Sequence, residues 1–162
     1  MKRLAAFVLT LGLAASLVGA PRSTPWVIYN RSASVPIGFY VRSDRPLELG
    51  ALVTVAAAEV APAYAQIRAY DDPSDRFIKR VAAMAGDHVC AQGDKVVVRG
   101  ERVLQRAVQD RYGAALPSWS ECRALRDGEI LLAGDSQDSF DGRYWGPISI
   151  NSIEQVWRPL RP

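Results

Sequence analysis

Beyond residue 25 the chain is cut at short intervals by glycine beside aspartate: AGDHV (85–89), QGDK (92–95), RDGE (126–129) and AGDS (133–136). Such pairs form turns, because glycine adopts backbone angles closed to other residues and aspartate hydrogen-bonds its own main chain. Between them few apolar patterns run long enough for a substantial helix. What remains are short β-prone runs: IGFYVRS (37–43), ALVTVAA (51–57), RFIKRVAAM (76–84), KVVVRG with ERVLQ (95–105), EILLAG (129–134) and EQVWRPL (154–160). A mostly β domain built of antiparallel sheets is the fold this pattern allows, with 61–75 and 109–121 as long excursions from the sheet. The chain has 162 residues, of which 49% are hydrophobic. That fills one core, whereas two domains would each have a thin one.

The N-terminus is organised differently. After Met1, Lys2 and Arg3 comes LAAFVLTLGLAASLVGA (4–20), an uncharged run of the kind that enters a bilayer with its basic end left in the cytoplasm. As a helix it would be about 26 Å long, slightly short of a hydrocarbon core of roughly 30 Å. It fits either a signal peptide or a transmembrane anchor. Pro21 stands just after Gly19 and Ala20, where a cleavage site would fall, and a proline there favours the uncleaved anchor. Residues 1–21 are therefore expected to be the membrane segment and 22–162 a domain facing outward, into the periplasm of a Gram-negative cell.

Charge and cysteine usage suit that placement. The formal net charge is +3, and without Lys2 and Arg3 it is +1, with both signs well mixed. A nucleic-acid-binding surface is not expected from such a balance. Cys90 and Cys122 are an even count in an exported chain, and a bridge between them would stabilise the domain by about 3 to 4 kcal/mol in the chain-entropy model. The alternative is a pair of buried thiols. With one histidine beside them, the cysteines have no zinc-binding spacing, so neither metal nor cofactor is expected.

Two stretches carry possible chemistry. NRSASVPIGFY (30–40) places Ser32 and Ser34 just before Pro36, and Pro36 biases Val35 toward extended backbone. This is either an ordinary polar turn or the mount of a nucleophile. In RFIKRVAAM, strand alternation puts Phe77, Lys79 and Val81 on one face and Ile78 and Arg80 on the other. A lysine between apolar neighbours either snorkels to water or is desolvated, and a desolvated amine loses its proton more easily and can act as a general base. No G-x-S-x-G elbow is present, and His88, beside a turn, is the only imidazole. An activated serine here would need a lysine. Lys2 lies at the membrane and Lys95 in a charged hairpin, which leaves Lys79.

Three blocks, SASVPIGFY (32–40), RFIKRVAAMAGD (76–87) and GDSQDSFDGRYWGPI (134–148), resemble in order and approximate spacing the signal peptidase I superfamily, whose members use a Ser/Lys dyad. The form S-x-P-x-G-F-Y, with only Val35 between serine and proline, and a third block one residue shorter around Ser139 are similar to the TraF-type conjugative transfer peptidases. The resemblance implies Ser34 as nucleophile and Lys79 as general base. It implies Ser32, with the Ser34 backbone N–H, as the oxyanion hole; Ser139 as the residue orienting the lysine; and Asp141 with Arg143 as a supporting ion pair.

The implied activity is endoproteolysis of an exported precursor, either a conjugative pilin or a presecretory protein, at the inner membrane, in the setting of a conjugation or type IV secretion machinery. In the TraF-type branch the acyl-enzyme can pass to the substrate's own amine, giving a cyclic pilin. Trp26, Ile28 and Tyr29 are placed either to meet the bilayer surface or to pack into the core. A general signal peptidase and a non-enzymatic assembly factor on the same fold are the alternatives. A self-cleaving repressor would need a DNA-binding helical segment where LAAFVLTLGLAASLVGA stands.

Overall fold

The computed structural model describes residues 25–70 and 72–160. The anchor expected over 4–20 lies outside them, and among the described residues no helix is long and apolar enough to cross a membrane. Eleven strands are present among these residues: β1 (Val27–Asn30), β2 (Gly38–Arg42), β3 (Leu52–Ala56), β4 (Arg76–Ala83), β5 (His88–Gln92), β6 (Lys95–Val98), β7 (Arg102–Gln105), β8 (Cys122–Ala124), β9 (Glu129–Ala133), β10 (Ile148–Ser149) and β11 (Ile153–Pro159). Three short helices join them: α1 (Ala57–Val60), α2 (Pro62–Ile67) and α3 (Gly142–Trp145). The architecture is mostly β, as the turn spacing requires.

Seven strands form one sheet in the order β1-β2-β11-β3-β4-β9-β10, and four form a second in the order β7-β6-β5-β8. The strand pairings are antiparallel throughout. β11, at the far end of the chain, inserts between β2 and β3. Neither edge of that insertion is local, so the long sheet closes only when the C-terminal strand arrives. The sheets share a core in which Ala83, Leu131 and Ala133 meet Val89, Ala91, Val96, Val98 and Leu104. β3 is buried from Leu52 to Val55, and its Thr54 hydroxyl is satisfied at 3.0 Å by the Trp157 indole N–H.

Differences from the sequence expectation lie in short strands. β5 starts inside the AGDHV turn signal, and its alternation, Val89 and Ala91 inward, spans only five residues. β8 has three residues, yet it completes the smaller sheet by pairing with β5. In that register Cys90 faces Cys122, and the two are joined by a disulfide. The buried-thiol alternative is therefore set aside. The first excursion carries α1 and α2; the second is irregular apart from a bridge between Gln109 and Ala115. Tyr64 joins them, donating its hydroxyl to Asp110 Oδ2 at 3.1 Å while its ring stacks on Phe140 at 3.7 Å.

Candidate active site

Ser34 lies in the turn between β1 and β2, and its position is fixed by its neighbours. Val35 is buried with Tyr40, Leu52, Ile78 and Trp157, which stabilises the turn by about 2 kcal/mol. The Tyr40 hydroxyl donates to the Pro36 carbonyl, and the Asp135 N–H donates to the Ser34 carbonyl. The main chain on either side of the hydroxyl is thus tied to β2 and to the loop after β9.

Asn30, which the sequence reading left unassigned, holds the same turn from beneath. Its side-chain amide donates to the carbonyls of Ser32 (2.8 Å), Val35 (3.0 Å) and Pro36 (3.1 Å), and its Oδ1 accepts from the Ser32 N–H (3.1 Å) and the Ser32 hydroxyl (3.2 Å). It is 7% exposed. An Asx residue two positions before a serine is a turn signature, so this role had a local signal. Ser32 itself is exposed, and its hydroxyl is turned toward Asn30.

Lys79 is 3% exposed, so it does not snorkel. It sits on β4 opposite Val53, with the Phe77 ring 5.7 Å from Nζ. Phe77, Phe140 and Trp145 pack ring on ring around that flank. Burial lowers the Lys79 pKa to about 8; the Asp141 carboxylate opposes the shift, and the Arg143 guanidinium adds to it. Desolvation dominates because the ammonium loses water that a single hydrogen-bond partner does not replace. Nζ donates to Ser139 Oγ at 3.2 Å, and Ser139 Oγ donates to Ser34 Oγ at 3.3 Å. Ser34, Ser139 and Lys79, far apart in the chain, are thereby joined in one hydrogen-bonded line. Hydroxyl hydrogens rotate, so the same contacts can carry a proton from Ser34 toward a neutral Lys79.

The loop after β9 makes this line possible. A Cβ on Gly134 would fall 2.1 Å from Ser139 Oγ and 2.8 Å from the Ser34 carbonyl oxygen, so only glycine lets the three segments meet. The Gly134 N–H donates to Asp141 Oδ2 at 2.7 Å. Asp141 and Arg143 are fully buried and paired, Nε to Oδ1 at 2.8 Å and Nη2 to Oδ2 at 2.9 Å. The remaining guanidinium hydrogens reach the carbonyls of Gln105, Gln137 and Ser136. Every donor of Arg143 is therefore used, which offsets the desolvation of a buried charge and closes the loop that carries Ser139.

Arg80, on the opposite face of β4, is ion-paired with Asp135 at 2.8 Å. His88 is exposed on the smaller sheet, outside this arrangement. The group assembled here can generate an alkoxide-like serine with a lysine base and no imidazole.

A sequence profile of the family described as "Signal peptidase, peptidase S26" matches residues 1–157. Two plasmid transfer proteins TraF from Escherichia coli are each 34% identical to the chain, one over 99% of it and 96% of the relative, the other over 98% and 96%. A crystal structure of a signal peptidase I from Enterococcus faecalis is 16% identical, covers 70% of this chain and 98% of that one, and superposes with a TM-score of 0.40.

Proposed function

The chain belongs to the signal peptidase, peptidase S26, family, and from that premise we propose that it is a membrane-anchored serine endopeptidase that processes an exported precursor, a conjugative pilin in the first instance. The observation that carries this reading is the line Lys79–Ser139–Ser34, in which a buried amine of lowered proton affinity reaches a pinned serine hydroxyl through one intermediary. Ser34 attacks the scissile carbonyl and forms an ester, while its proton passes to Lys79, which returns it to the leaving amine. The developing oxyanion meets the Ser34 N–H and the Ser32 hydroxyl, once that hydroxyl rotates away from Asn30. A preorganised donor of this kind is worth about 3 to 4 kcal/mol of barrier. Ser139 orients the amine, and Asp141 with Arg143 braces its loop. The ester then passes to water, or to an amine of the substrate itself, which gives a cyclic product.

Residues 1–21 are the anchor in this reading, with 22–162 in the periplasm. Trp26 and Tyr29 are 76% and 52% exposed, and Tyr29 stacks against the exposed Phe39 at 4.8 Å. Ile28 turns inward instead. An exposed aromatic pair, Tyr29 with Phe39, so close in sequence to the apolar N-terminal run suits the bilayer interface, where a membrane-held precursor would be presented. The 34% identity to plasmid transfer proteins favours the pilin over general presecretory substrates.

The test is mass spectrometry of a pilin precursor co-expressed with the wild-type protein, Ser34→Ala or Lys79→Ala. Cleavage by wild type alone is the expected result, and a product lighter than the linear fragment by one water marks cyclisation. Cleavage by both variants would overturn the dyad. If Ser34→Ala left conjugative transfer intact, an assembly factor without catalysis would replace the peptidase.

A further inference from the structure

The two long excursions meet at the loop that carries Ser139. α2 starts at Pro62 and is seated by the buried Ala65, and its Tyr64 reaches the second excursion. The Tyr64 hydroxyl donates to Asp110 Oδ2 at 3.1 Å. Asp110 is held in its turn: Oδ1 accepts the N–H groups of Tyr112 and Ala114, each at 2.9 Å, and Arg68 Nε lies 3.8 Å from Oδ2. Burial and the bond to Asp110 raise the Tyr64 pKa to about 12, so the phenol remains a donor while an amine of lowered pKa titrates.

What Tyr64 holds is Phe140. The two rings stack at 3.7 Å and 22°, and Phe140 stands in the chain between Ser139 and Asp141. The same excursion sets Tyr70 edge-on to Phe77 at 6.1 Å. Phe77 in turn meets Phe140 at 5.8 Å and lies 5.7 Å from Lys79 Nζ. Residues 61–75 thus place one ring on each of the two aromatic side chains that flank Lys79 and Ser139.

This support matters because the contacts of Ser139 are long. Its Oγ stands 3.2 Å from Lys79 Nζ and 3.3 Å from Ser34 Oγ, so a shift of about 0.5 Å carries either pair beyond hydrogen-bond range. The Asp141–Arg143 pair braces the loop at Ser136, Gln137 and Gly134. Phe140, beside Ser139, is gripped by rings instead. We propose that Tyr64 is a positioning residue: tethered by Asp110, it holds Phe140 and thereby keeps the Ser139 hydroxyl between Lys79 and Ser34. The inference rests on the peptidase reading for its effect on rate, and on the geometry alone for its effect on Lys79.

Two readouts on the full chain test it, and the first needs no substrate. The lysines are Lys2, Lys79 and Lys95, so 13C labelling at lysine Cε gives three NMR signals; the Lys79 signal is the one missing from Lys79→Met. In Tyr64→Leu the stack is lost and water reaches Nζ, so the Lys79 midpoint should rise by about one unit toward the usual lysine value. The charges that bear on Lys79, Asp141 and Arg143, are the same in every variant. Asp110→Ala, which frees Tyr64 but leaves both rings, should shift the midpoint the same way by less. The second readout is cleavage of the pilin precursor. Tyr64→Leu should lower kcat by about 10- to 100-fold with little change in KM, the scale of a misplaced reacting group, and Tyr64→Phe, which keeps the stack, should recover most of the loss. A Lys79 midpoint unchanged in both Tyr64→Leu and Asp110→Ala overturns the inference whatever the kinetics. So does a rise in KM alone, which would make Tyr64 a substrate contact. A wild-type protein that cleaves no precursor, with the midpoint raised in Tyr64→Leu, would refute the peptidase reading and leave the positioning role standing.

Discussion

Replacing Lys79 by methionine tests the electrostatic claim at the centre of the site, independently of any substrate. The amine is buried and its pKa is lowered from 10.5 to about 8. Below pH 8 both the folded and the unfolded chain carry the proton, and folding includes the full penalty of a buried ammonium. Between about pH 8 and 10.5 the unfolded chain binds the proton and the folded one does not, so stability rises with pH across that window. Each pKa unit corresponds to about 1.4 kcal/mol, so from pH 7 to pH 10 the lysine contributes a gain of roughly 2 to 3 kcal/mol. Lys79→Met keeps the length and apolar stem and abolishes this gain. Urea unfolding of both proteins at pH 7 and pH 10 measures it, and subtracting the variant removes the tyrosines and other lysines that titrate in the same range. The difference between the two proteins should shift by 2 to 3 kcal/mol in favour of wild type at the higher pH. Parallel pH dependence of the two proteins would mean that the Lys79 amine titrates normally, and the proposed base would lose its physical basis.

On the proposed mechanism the base form of Lys79 grows as pH rises through about 8, so kcat/KM for precursor cleavage should climb to a plateau above that value; a flat profile from pH 6 to 9 would contradict it. Asn30→Ala frees three carbonyls and the Ser32 hydroxyl, and should lower kcat by about 10- to 100-fold with a smaller change in KM. The loss should shrink when Ser32→Ala is already present, as a double-mutant cycle would show. Gly134→Ala drives a methyl into Ser139 and the Ser34 carbonyl, and cleavage assayed by mass spectrometry should be abolished even where the protein folds. Arg143→Met strands the buried Asp141 carboxylate and should cost about 3 to 5 kcal/mol in denaturant unfolding, far more than an exposed arginine would.

Much of the architecture was legible locally. Gly–Asp turns and β-branched runs mark β2, β3, β4, β6, β7, β9 and β11, because turn chemistry and alternation act within a few residues. β1, β5, β8 and β10 escaped that reading; they are two to five residues long and exist through the neighbours they pair with. In the same way, the residue types named for the site were visible as motifs. Ser34 before Pro36, Lys79 among apolar residues and Ser139 near Asp141 and Arg143 all stand in the linear order.

Proximity was not visible. Sequence alternation leaves Lys79 free to snorkel or be buried, and burial followed only when β3, the Phe77–Phe140–Trp145 rings and the loop after β9 closed around it. The bond from Lys79 to Ser139 spans 60 residues and that from Ser139 to Ser34 spans 105. No local preference of either segment encodes those distances. By itself the sequence determined the β class, the turn positions and the inventory of reactive groups, since these depend on each residue and its near neighbours. Tertiary structure alone decided which groups lose their water and which touch, because desolvation and contact are properties of the packed chain.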